Sequence, residues 1–387
     1  MKNNEYINFK LILLLAAVVL IQACSGDEVI DDNSRNEKIG FSLTTEKSKK
    51  SIQSRVGELT IDDVTDFKVS AQLKAIDTDP FASNFMYGIN VVKTAPDTWV
   101  YSPIKYKPKT GGVDFYAYSP ANSLSATNFL ETAATPSVEY IVSPAANLQE
   151  DFLIANSLAA YVAPDWTNPW EATGKVPLNF KHALSQIVFQ GRCELEGLRF
   201  IVKSITLTNL KPKGDINLAT QVWSNISGDE TDYPADVPNP ILFEYDPAQM
   251  SGDTYTVITD HQAGTETAMM VLPQDVTAGT SGVKTTENGK SHIAVTFAVL
   301  DWEDFPLYGE FETDSSGNIE IDSNGVPVVT KYATTYIPLQ IGTIPSSNKF
   351  EQGKRYTFQL RFNSLIPIVF GVDVTAWDTT PGIIDID

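Results

Sequence analysis

Arg355–Phe362 reads RYTFQLRF. Tyr356, Phe358, Leu360 and Phe362 alternate with Thr357, Gln359 and Arg361, a period of two. A helix would scatter the four large side chains around its circumference, whereas a strand gathers them on one face. The same period recurs outward along the chain. KIGFSLT (38–44) sets Ile39, Phe41 and Leu43 on one side, and DFKVSAQL (66–73) does so with Phe67, Val69, Ala71 and Leu73. SITLTNL, HIAVTFAVL and VFGVDVTAW repeat it. One-sided alternation is the mark of antiparallel sheets packed on a core, so the chain is expected to be all-β. No long stretch carries a helical apolar stripe, although NLQEDFLIANSLAAYV (147–162) has room for a turn or two of helix.

The breaks are rich in Gly, Pro, Asn and Asp, as short strands require. DSSGNIEIDSNGVP (314–327) predicts two hairpin turns, at Ser316–Gly317 and Asn324–Gly325. APDWTNPWEATGK (163–175) reads as a linker. Two β-sandwich domains are therefore expected, over residues 37–174 and 175–387, each of ordinary domain size.

Composition narrows the function. Hydrophobic residues make up 42% of the 387 and charged ones 20%, enough to build real cores. With 48 acids against 28 bases the formal charge is −20. No basic cluster relieves it, which disfavours nucleic acid as a partner.

The first 32 residues speak of location. Eleven apolar residues, LILLLAAVVLI (11–21), follow Lys2 and Lys10. That is half of what a membrane-spanning helix needs and fits the apolar stretch of a signal peptide. Ala23 precedes Cys24, and four acids follow at Asp27, Glu28, Asp31 and Asp32. The junction resembles a lipoprotein signal: residues 1–23 removed, Cys24 acylated, and 24–36 an acidic tether. With Cys24 so used, Cys193 is left alone and no disulfide framework can form.

Chemistry is harder to find. His182, His261 and His292 are far apart in sequence, and none has a second ligand type at metal spacing. GTSG (279–282) is a turn, not a nucleophile elbow, and phosphate-loop glycine patterns are absent. DWED (301–304) groups three carboxylates beside Trp302, a pairing glycoside hydrolysis would use, though adjacent loop acids are ordinarily solvated. EIDSNG (320–325) mimics half a calcium loop, but Lys331 stands where the closing Glu belongs. No enzymatic activity and no cofactor or metal are expected. Trp99, Trp166 and Trp170, if exposed, would make stacking platforms for sugar rings; if buried, they are core packing.

The stretch FMYGINVVKTAPDTWVYSPIKYKPKTGGVDFYAYSP (85–120) resembles the signature region of the Bacteroidetes fimbrillin-like proteins, lipoprotein pilin subunits of the FimA/Mfa type. WVYSP with the following KYKP, VDFYAYSP, EDFLIAN, VPLNFKHALSQIVF and the late GVDVTAW fit in the same order. The resemblance implies two transthyretin-like antiparallel β-sandwiches in tandem. It implies a stalk, tip or accessory subunit of a cell-surface fimbrium that serves adhesion and is anchored in the outer membrane. Assembly would proceed by strand exchange: a trypsin-like protease releases the first strand, and a strand of another subunit takes its place. Here that first strand carries Ile39, Phe41 and Leu43. The lysine-rich connection TTEKSKKSIQSR (44–55) ends at Arg55, the expected cut, with Arg35 the alternative. PGIIDID (381–387) offers Ile384 and Ile386 as a donor strand. Implied partners are other fimbrial subunits, membrane lipid through Cys24, the protease, and a host or bacterial surface ligand. The competing reading is a surface lipoprotein that binds glycans through Trp99, Trp166 and Trp170.

Overall fold

The computed structural model describes residues 38–45, 64–74, 83–108, 112–130, 136–161, 166–167, 174–235, 237, 239–259, 261–262, 265–266, 268–279, 290–341, 348–365 and 369–376. Met1–Lys38 forms one unit and Ile39–Asp387 another. Of the first, only Lys38 is described.

In chain order the strands are β1 (Gly40–Thr45), β2 (Asp66–Lys74), β3 (Ser83–Ala95), β4 (Thr98–Tyr101), β5 (Gly112–Ser119), β6 (Ala126–Leu130), β7 (Ser137–Ile141), β8 (Leu153–Ser157), β9 (Ala160–Tyr161), β10 (Trp166–Thr167), β11 (Lys175–His182), β12 (Ser185–Cys193), β13 (Leu198–Leu210), β14 (Lys213–Asn217) and β15 (Val222–Ser227). Further strands follow, among them Lys290–Asp301, Lys354–Phe362 and Val369–Ala376. The chain is all-β, as the alternation requires.

Seven strands form one sheet in the order β1-β11-β8-β5-β2-β3-β4. Its inner face carries Phe41, Phe67, Val69, Phe115, Val176 and Phe180. The sheet curls so that side chains of its two terminal strands touch over the core, the Phe41 ring of β1 lying 5.7 Å from the Tyr101 ring of β4. The outer face carries Tyr118 and Ile154, which share a second core with residues of the four-stranded sheet β15-β14-β7-β6. Tyr140 of that sheet stacks on Phe152 at 4.3 Å. Because both faces are covered, all eight residues of β5 are buried.

Among the described residues, the rest of the chain builds two further large sheets and three two-stranded ribbons. β12 lies beside Lys354–Phe362, which pairs in turn with Val369–Ala376. β13 pairs with Lys290–Asp301 over most of its length. Phe358 packs on Phe189 at 5.5 Å and Phe362 on Phe200 at 4.9 Å, so RYTFQLRF faces a core as its period demands.

Two expectations are corrected and a third is made definite. The strand beginning at Lys175 does not open a second domain: β11 pairs with β1 and β8 in the first sheet. The change of sheet falls between His182 and Ser185, and β14–β15 return to pair with β7. A Gly/Pro-rich stretch marks a connection but carries no information about which sheet the next strand joins. Second, the pairing is not wholly antiparallel, since β1–β11 and β12 with Lys354–Phe362 run parallel. Both join segments remote in sequence, where no tight turn forces reversal. Third, the helical turn for which 147–162 has room is one short 3-10 turn, Ala146–Leu148, after which the chain runs as β8, whose Leu153, Ile154 and Ala155 are buried. Burial on both faces explains the unbroken apolar run that sequence alone leaves ambiguous.

Candidate functional site

β1 is the first strand of its sheet and an edge. Ile39, just before it, and Phe41 are almost wholly buried, and Leu43 packs against the same core. Phe41 meets Phe67 at 5.5 Å, Tyr101 at 5.7 Å and Phe115 at 6.0 Å, each edge-on, an arrangement favoured by ring quadrupoles. Burial of Ile39 and Phe41 stabilises by about 1.5–3 kcal/mol apiece before ordering costs.

One ladder holds the backbone of β1. Gly40–Thr45 run in register with Lys175–Phe180 of β11, and the Thr44 hydroxyl donates to Asn179 Oδ1 at 3.3 Å. Pro177, opposite Ser42, has no N–H to give. Before the strand, Ile39 N–H donates to the Lys105 carbonyl at 3.0 Å. The Tyr101 hydroxyl donates to the Ile39 carbonyl at 2.9 Å and lies 3.2 Å from that of Lys105. Burial, foremost, raises the Tyr101 phenol above its ordinary value, with the Lys105 backbone acting the other way. Tyr101 is thus a clamp where the chain enters the sheet.

The neighbour matters as much as the strand. β8 pairs with β11 only at Lys181 and His182. Among the described strands, Lys175–Phe180 therefore has β1 as its sole partner. Taking β1 away uncovers Val176, Leu178 and Phe180, the rings around Phe41, and a six-residue run of unpaired backbone. Such an edge is a template for another strand. At the far end of β11, His182 Nδ1 sits 2.9 Å from the buried Asp151 carboxylate, pinning the strand where the chain changes sheets.

The other anticipated residues fall as follows. Cys24, Arg35, Arg55, Trp170, Ile384 and Ile386 lie outside the described residues. So does the side chain of Trp166, whose backbone is in β10. Trp99 is half-buried, its ring 5.2 Å from Phe67 with the Lys93 ammonium 5.9 Å above it, so it packs on the core under β1. In DWED, Asp301 accepts from the N–H groups of Glu303 and Phe305 at 2.9 and 2.8 Å, and Asp304 pairs with Arg199. One of the three carboxylates is therefore spent on the turn and another on Arg199 of β13. Asp322 likewise accepts from Asn324 N–H and Val326 N–H, both at 2.8 Å. His292 is buried against Tyr336. Sequence reasoning missed Tyr101 as a clamp and β11 as the wall of the groove. The inward set Val176, Leu178 and Phe180 was the available signal.

β1 is thus an apolar strand at the end of its sheet, held by one ladder on an all-β scaffold. The fimbrillin-like family model matches residues 54–303, and the chain belongs to that family. A fimbrial protein from Bacteroides vulgatus is similar in structure, with a TM-score of 0.57 at 16% identity, over 88% of this chain and 100% of that one. A structure from Bacteroides uniformis assigned to cell adhesion gives 0.45 at 14% identity, over 88% and 98%. A tip fimbrial protein from Porphyromonas gingivalis gives 0.29 at 11%, over 81% and 94%. The first of these supports the shared fold. A comparison with curated proteins finds no match.

Proposed function

We propose that the chain is a subunit of a cell-surface fimbria that serves adhesion and joins its neighbour by exchange of β1. The observation that carries this reading is the single-sided hold on that strand: Lys175–Phe180 has β1 as its only described partner. Proteolysis after Arg55 would sever β1 from β2, and a strand of another subunit would then fill the groove beside β11. The inserted strand needs large apolar residues at alternate positions, to replace Ile39, Phe41 and Leu43. Ile384 and Ile386 would supply part of such a pattern on a neighbouring subunit. The N-terminal segment supports export as an acylated lipoprotein through Cys24 to the outer membrane. Among the described residues no helix is long and apolar enough to span a bilayer.

Limited digestion with a trypsin-like protease tests this. N-terminal sequencing should find a new start at Val56, with loss of the peptide carrying β1 and onset of multimers. A trimmed protein that keeps the Ile39–Leu43 peptide bound and stays monomeric would refute the exchange. A start at Asn36 would move the cut to Arg35 and leave β1 attached to its sheet.

A further inference from the structure

Beyond the first strand, the chain carries two exposed surfaces of opposite character. The first is the solvent side of β3, β4 and the segment after them, at one end of the seven-stranded sheet. Val92 and Val100 sit directly opposite each other across β3 and β4, both exposed. Ile104 and Tyr106 follow within six residues, 46% and 49% exposed. Residues 83–108 hold three lysines, Lys93, Lys105 and Lys107, against one acid, Asp97. In a chain of formal charge −20 this is a local inversion of sign.

The second surface is the arm 301–332, with eight carboxylates against one lysine. Its turns are fixed. Asp301 and Asp322 close two of them as described above, and Asp314 accepts from Ser316 N–H and Asn318 N–H at 2.8 and 2.9 Å. Between turns, Glu310–Phe311 pairs with Val329–Lys331. That framework presents Trp302, 73% exposed, with Phe305 at 64% and the exposed Leu307 and Ile321. Glu303, Glu312 and Glu320 are exposed as well. Apolar studs ringed by charge are what a protein interface uses, and fixed turns reduce the ordering cost of docking.

We infer that the lysine-bearing β3–β4 edge of one copy docks the acidic arm of a second copy. Each surface has exposed apolar side chains for the centre and charges of opposite sign for the rim. The two patches differ, so the contact is heterologous and propagates head to tail instead of closing as a twofold dimer. Opposite rims would steer encounter and set register, and like rims would repel wrong pairings. The contact is additional to strand exchange: its side chains lie outside β1 and β11, although the Lys105 carbonyl also accepts from Ile39 N–H.

The test mixes nitrogen-14 and nitrogen-15 copies of the mature full-length chain and applies a zero-length carbodiimide. Cross-links between copies should join Lys93, Lys105 or Lys107 to Glu303, Glu310, Glu312 or Glu320. Lys93→Glu with Lys105→Glu should weaken association by about tenfold or more at low salt. Glu312→Lys with Glu320→Lys should do the same, and mixing the two variants should restore it. Raising ionic strength should weaken the parent contact, as screening requires. Cross-links confined to single copies, or reversed variants that associate like the parent, would overturn the proposal. The lysines would then only guard an open edge from unspecific pairing. An Arg55→Gln chain separates the two ideas. Its cross-links should persist with strand exchange blocked, and their absence alongside normal assembly of the trimmed parent would sink the docking contact alone.

Discussion

β1 and Lys354–Phe362 carry the same alternating pattern, and both run parallel to a strand remote in sequence. Their situations differ. Lys354–Phe362 lies inside its sheet, with β12 on one side and Val369–Ala376 on the other. Among the described residues, β1 has a ladder on one flank only, beginning after the Ile39–Lys105 bond. Phe358 and Phe41 are both buried, yet one belongs to a strand with two ladders and the other to a strand with one. Burial therefore measures what a strand contributes, while the number of its neighbours measures how readily another can take its place. An exchangeable strand needs a large first quantity and a small second one.

That contrast can be broken by measurement. Phe358→Ala should produce the largest loss, toward the upper end of about 3–5 kcal/mol for such truncations, read as a lower midpoint in urea. Phe41→Ala should fall at the lower end of the same range, about 3 kcal/mol, because an edge strand can shift to close part of the cavity. If Phe41→Ala costs more than Phe358→Ala, β1 is an integral stave and the contrast fails.

Tyr101→Phe should cost about 1–2 kcal/mol, since it strips the Ile39 carbonyl of its buried donor while the ring stays. It should also speed proteolytic loss of the Ile39–Leu43 peptide, whereas a phenylalanine at Tyr356 should leave that rate unchanged. The smallest effect is on pH. The folded Tyr101 phenol is raised above its ordinary 10.0, so its neutral form is favoured by folding. The stability it contributes is present in full below pH 10 and fades as pH climbs through the raised value. Hydrogen exchange at the β1 amides should show this as loss of protection confined to alkaline pH. Loss of equal size in Tyr101→Phe would assign it to another group.

The turns illustrate what was legible. Ser316–Gly317 and Asn324–Gly325 were readable from composition, because Gly tolerates the positive φ found at Gly317 and Gly325. DWED was readable only as a cluster. The roles of Asp301 and Asp304 depend on backbone N–H groups and on Arg199, a residue on another strand. Trp99 could be exposed or buried on its alternation alone, and contact with Phe67 decided it.

The sequence by itself determined that Ile39, Phe41 and Leu43 share a face, that Tyr356, Phe358, Leu360 and Phe362 do, and that the chain is all-β. These follow from side-chain period, a local property of the extended backbone. Only the tertiary structure decided that β1 stands at an edge, that β11 is its wall, and that Tyr101 holds its entrance. Partners in a sheet are chosen by closure of the whole chain around its cores. No window of neighbouring residues contains that information.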